Sequence, residues 1–112
     1  TARGAGDVDL RLPRYDDDQT YLWLMGMRTI DALMSRLIDE ADFPRDLPAA
    51  IVSRAHHPNQ RAIRSTLGEL AKDSNDLGIA APAVIILGEV VTLAPSQAFE
   101  FDAMNTAVSI VA

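Results

Sequence analysis

Five side chains able to hold an anion crowd one short stretch of this chain: Arg54, His56, His57, Arg61 and Arg64. A guanidinium group presents a planar fork of donors that grips a carboxylate at two points, so the arginines suit a ligand rich in carboxylates. They could equally pair with the protein's own surplus of Asp and Glu, as exposed cations commonly do. His56 and His57 are sequence neighbours. Adjacent side chains of an extended segment point to opposite faces, and no further His or Cys stands at ligand spacing, so no metal site is expected. Asp16, Asp17 and Asp18 lack the glycine and terminal glutamate of a calcium loop and read as a solvated acidic turn. Gly4-Ala5-Gly6 leads into Asp7 with no strand before it, which rules it out as a phosphate loop. No Ser, His and Asp arrangement suggests a nucleophilic triad. On residue chemistry alone the chain does not present a complete catalyst.

The elements that position these groups must come from one modest core, because 112 residues support one domain. Hydrophobic residues make up 48% of the chain and charged residues 23%, the balance of a folded globular domain. A formal net charge of −6 argues against general affinity for nucleic acid. There is no cysteine, no apolar run of membrane-spanning length and no secretory signal pattern, so a cytoplasmic protein without membrane attachment is expected.

Residues 1–18 carry Gly, Asp, Arg and Pro13 without sustained period and read as an irregular arm or linker. The packed domain is expected over 19–94, with a tail of open structure over 95–112. Tyr21-Leu22-Trp23-Leu24-Met25 is wholly apolar and reads as a strand covered on both faces. Ile30, Leu33, Met34, Leu37 and Ile38 share one helical face, with Thr29 placed to cap and Asp31 in the first turn. Ala49–Ser53 predicts a second strand in β-α-β order. Thr66 and Glu69 have capping-box spacing for a second helix that Gly78 ends in a left-handed cap, and Ala83–Leu87 predicts a third buried strand. The expected fold is α/β, with a mixed, largely parallel sheet flanked by helices.

Four strings carry a resemblance. Thr20-Tyr21-Leu22-Trp23-Leu24-Met25-Gly26, Leu47-Pro48-Ala49-Ala50-Ile51-Val52-Ser53-Arg54-Ala55, Gln60-Arg61 with Ser65-Thr66-Leu67, and Ala81 through Val91 stand in order and at compatible spacing. Together, over roughly residues 20–93, they resemble the C-terminal domain of tetrapyrrole methylases, nearest to the uroporphyrinogen-III C-methyltransferases. The resemblance implies the second domain of a two-domain, homodimeric enzyme. Such an enzyme moves methyl groups from S-adenosyl-L-methionine to uroporphyrinogen III, giving precorrin-2 for sirohaem and cobalamin. It implies that the cofactor lies between the domains, that the Gly-x-Gly-Pro-Gly loop and acid-base residues belong to an N-terminal methylase domain, and that this chain alone is inactive. It maps cofactor contacts onto Met25, a soft thioether at a strand end, and Ala55, where a small residue permits close backbone approach. Arg28, Arg54, Arg61 and Arg64 are then candidates for the eight carboxylates of the substrate. The chain departs from relatives at Ser65 and at Ala41-Asp42, where several have Gly, and at Thr1-Ala2-Arg3, where they read Thr-Gly-His.

Two other functions stay open at this level. A shared fold does not fix the acceptor, so another precorrin methylase fits. A non-catalytic interaction or dimerisation module presenting Trp23, Met25, Met27 and Phe43 also fits.

Overall fold

The computed structural model describes residues 12–25, 29–54, 58–79 and 82–104, with Met25 described by its backbone. Strand β1 is Tyr21–Met25, helix α1 Ile30–Asp39, β2 Pro48–Ser53, β3 Arg61–Thr66, α2 Leu67–Asp76, β4 Ala83–Leu87 and β5 Phe101–Asp102. Two 3₁₀ turns, Glu89–Leu93 and Ser96–Ala98, separate β4 from β5. Among the described residues no helix is long and apolar enough to cross a membrane.

The strands form one mixed sheet in the order β1-β4-β2-β3-β5. The expected parallel majority is overturned: β1 with β4, β4 with β2 and β2 with β3 are antiparallel, and only β3 with β5 is parallel. The reason lies in how the crossovers land. β1 and β2 do run in the same direction across α1, as a β-α-β order requires, but they sit one strand apart and β4 fills the gap antiparallel to both. β3 and β4 repeat the arrangement across α2 with β2 between them. β3 itself was not expected, because Ile63 is the only large apolar residue among its six.

Both helices pack on one face. Ile30, Leu33, Met34 and Leu37 of α1 and Leu67 and Leu70 of α2 form a continuous core with Ala49, Ile51, Ile63, Ala83, Ile85 and Leu87 of the sheet. Period-two alternation puts the other residues of each strand on the opposite face. There the register sets Leu22, Ile86, Ala50 and Arg64 in one row and Leu24, Val84, Val52 and Ala62 in the next. This face corrects two expectations. β1 is an edge strand rather than a doubly covered one, with Leu22 63% and Leu24 57% exposed, and Val84 and Ile86 of β4 are half-buried. Among the described residues neither α-helix packs on this side, where the 3₁₀ turn Glu89–Leu93 meets Arg64 instead.

Local signals held to different degrees. α1 and α2 start one residue after Thr29 and Thr66, yet neither threonine makes a side-chain cap bond. At α2 the backbone carbonyls of Leu47 and Arg45 accept from the N–H groups of Leu67 and Gly68, so tertiary partners satisfy donors that a cap would otherwise serve. Gly78 does close α2 in the left-handed region, at φ 67°. Asp42 adopts φ 60° after α1; its short polar side chain tolerates that conformation.

The ends of the described chain also pack. Leu12 and Tyr15 lie against the core, the Tyr15 ring sits 5.1 Å from Phe43, and the Tyr21 hydroxyl donates to the Arg14 carbonyl and accepts from the Asp16 N–H. Gly88 allows the turn out of β4 at φ 136°, and a Cβ there would meet the Gln19 carbonyl oxygen at 3.0 Å. Replacing Gly88 by Ala is therefore expected to cost about 2 kcal/mol. Urea denaturation should show a lower midpoint at unchanged slope, and an unchanged midpoint would refute the constraint.

Candidate functional site

The C-terminal ends of β1 and β2 and the start of β4 meet at one edge of the sheet. Ala83 is the shared neighbour, pairing with Met25 on one side and Ser53 on the other. Two strand spacings, about 10 Å, therefore separate the end of β1 from that of β2. Ser53 also pairs with Arg61. The edge thus brings together Met25, Arg54 and Arg61 from three separate segments. Ala55, Arg28, His56 and His57 lie outside the described residues, as does the Met25 side chain.

Beside this edge lies an open cavity of about 470 Å³, lined by Ser53, Arg54, Asn59, Gln60, Arg61 and Gly78. Arg54 is exposed and adopts φ 55°. Its N–H donates to the Pro82 carbonyl at 3.2 Å, which ties the end of β2 to the entry of β4. Arg61 grips Glu100 through both Nε and Nη2, at 3.0 and 2.7 Å, and donates through Nη1 to the Gly78 carbonyl. That hydrogen bonding raises the Arg61 pKa and lowers that of Glu100.

Arg64 belongs elsewhere. It stands on the face opposite the helices with its side chain only 7% exposed. Its Nε and Nη2 donate to the Asp102 carboxylate at 2.9 and 2.6 Å, and its Nη1 donates to the carbonyls of Val91 and Ala94. The Phe99 ring stacks at 4.6 Å from its guanidinium carbon. The geometry thus commits Arg61 and Arg64 to the chain's own acidic groups, one of the two roles open to them from sequence.

Sequence reasoning missed Asp102. The signal was present in Phe99-Glu100-Phe101-Asp102, where apolar and acidic residues alternate with the period of a strand. Hydrogen bonds from Arg64, together with others from Ser96 and the Met104 N–H, outweigh burial and lower the Asp102 pKa from 3.8 to about 2. Elsewhere, the buried Ser65 hydroxyl donates to Asp73 at 2.6 Å. The exposed carboxylates of Asp16, Asp17 and Asp18 lie within 4.8 Å of one another.

No protein-family profile matches the chain. It is 36% identical over 80 residues to the S-adenosyl-L-methionine-dependent uroporphyrinogen III methyltransferase of Arabidopsis thaliana, covering 71% of this chain and 21% of that protein. It is 36% identical over 96 residues to siroheme synthase 3 of Aeromonas hydrophila, covering 86% of this chain and 20% of that protein. The fold matches the uroporphyrin-III-C-methyltransferase of Thermus thermophilus with a TM-score of 0.63 and 31% identity, over 75% of this chain and 35% of that one. The chain spans about a fifth of the curated relatives' length.

A carboxylate whose folded pKa lies below its unfolded value stabilises the fold above the unfolded value, and that contribution disappears as pH falls through the folded one. For Asp102 the window runs from 3.8 down to about 2. Asp102→Asn is expected to cost about 3 kcal/mol near neutrality, because it leaves a buried guanidinium without its counter-charge. The gap to the unsubstituted protein should hold down to about pH 4 and narrow by about 2 kcal/mol toward pH 2. Denaturant titrations across that range check this, and a gap constant to pH 2 would refute it. In sequence and in fold together, this chain belongs to the tetrapyrrole methylase family.

Proposed function

We propose that this chain is the C-terminal domain of an S-adenosyl-L-methionine-dependent uroporphyrinogen-III C-methyltransferase, working with its own N-terminal methylase domain in a homodimer. The product is precorrin-2, on the route to sirohaem and cobalamin, and the compartment is the cytoplasm. The observation that carries this reading is the common sheet edge. Met25 and the Ser53-Arg54 turn flank Ala83, so two segments from separate strings of the resemblance converge on one place. The plant relative's dependence on S-adenosyl-L-methionine supports the cofactor.

In this reading the chain supplies one wall of the cofactor cleft. The Met25 thioether packs on the donor, and the backbone at Ala55 approaches it closely, with no Cβ branch to obstruct it. The donor supplies an electrophilic methyl group to a carbon of the macrocycle. The walls hold the two in line and exclude water, and the acid-base groups come from the other domain. The exposed leucines of β1 give the second domain or second protomer an apolar surface to cover. Neither cleft wall alone should turn over.

Met25→Ala in the protein that carries this chain is expected to weaken S-adenosylhomocysteine binding about tenfold, the loss of one packed thioether. Isothermal titration calorimetry measures it directly. Unchanged affinity would sink the assignment of Met25 to the cofactor.

A further inference from the structure

Three features of Arg54 converge. It occupies the left-handed region at φ 55°, and the only other described non-glycine residue with positive φ is Asp42. Asp is eased there by a short side chain that bonds locally, whereas Arg has no such compensation. Glycine would fit this turn with less strain, so something other than backbone geometry accounts for the arginine. Next, Arg61 and Arg64 are each gripped by a carboxylate of the chain, while the Arg54 side chain makes no hydrogen bond or ion pair with any described residue. Last, the residue is exposed and lines the open cavity of about 470 Å³ beside the end of β2, on the sheet edge that also carries the end of β1.

We infer that Arg54 binds a carboxylate of the methyl acceptor at the mouth of the cleft. The inference rests on the methyltransferase reading above and deepens it by selecting one residue from the three described candidates, Arg54, Arg61 and Arg64. An acceptor bearing several carboxylates needs cations, and the backbone bond to Pro82 fixes where the Arg54 side chain leaves the sheet, so its uncommitted guanidinium can reach a ligand in the cavity. The methyl donor also carries a carboxylate, so the test must separate the two sources.

The test compares Arg54→Gln, Arg54→Gly and Arg54→Lys in the protein that carries this chain, with KM for uroporphyrinogen III and Kd for S-adenosylhomocysteine as readouts. Gln and Gly should raise KM about tenfold, the effect of losing one charge-assisted contact, leave Kd unchanged, and show less salt dependence than the parent. Lys should recover part of the loss. Arg54→Gly should also raise Tm by removing the left-handed strain, so a weaker acceptor contact in a more stable protein excludes misfolding as the cause.

Turnover with unchanged KM in the Gln and Gly variants would overturn the role of Arg54 and leave the methyltransferase reading standing. A weaker Kd with unchanged KM would overturn it in favour of the donor's carboxylate. Failure of the unsubstituted protein to methylate uroporphyrinogen III would remove the methyltransferase reading and this inference together.

Discussion

The buried guanidinium of Arg64 is the constraint around which the second face of the sheet is organised. A cation placed on an otherwise apolar row needs counter-charge and acceptors to offset its lost hydration. Asp102 and the carbonyls of Val91 and Ala94 provide them, and Phe99 covers the ring plane. Satisfying that one side chain fixes the path of the chain from Glu89 to Asp102. β5 then pairs with β3 in a register that sets Asp102 opposite Arg64 and Phe101 beside Ile63 in the core. The Ala103 N–H donates back to the Arg64 carbonyl, and Arg61 repeats the grip at Glu100.

The two faces of the sheet therefore follow different rules. On the helix side non-directional apolar burial is sufficient, and nearly every contributor is fully enclosed. On the other side directional contacts hold a short strap over Ala50 and Arg64, while Leu22 and Leu24 at the β1 edge remain exposed. A polar latch and an apolar opening thus share one surface. The open part lies in the rows that begin at β1, the strand whose far end reaches the candidate site.

That site owes its form to the antiparallel insertion of β4. Because β4 lies between β1 and β2, their C-terminal ends are held a fixed two strands apart with Ala83 between them. Had β1 and β2 been direct parallel neighbours, the same residues would stand one spacing apart, without the entry of β4 and its Pro82 carbonyl between them. The strained turn at Arg54 depends on that carbonyl.

Helix α1, the apolar strands β1, β2 and β4 and the left-handed stop at Gly78 were all legible from the sequence, because periodicity and glycine chemistry act over a few residues. Of the candidate residues, the sheet end brings Arg54 and Arg61 near the end of β1 at Met25, whereas Arg64 lies on the face away from the helices. β3 was not legible, since Arg61 and Arg64 interrupt its pattern, and β5 carried only a two-residue pairing. Strand order, the antiparallel majority, the capping of α2 by Leu47 and Arg45, and the division of the cluster into Arg61 and Arg64, each latched to a carboxylate, and Arg54, whose side chain pairs with no described residue, were decided only by tertiary structure. Each depends on which distant backbone edge or carboxylate arrives alongside. Local sequence determines which residues can form an element, but long-range packing selects the partner that satisfies it.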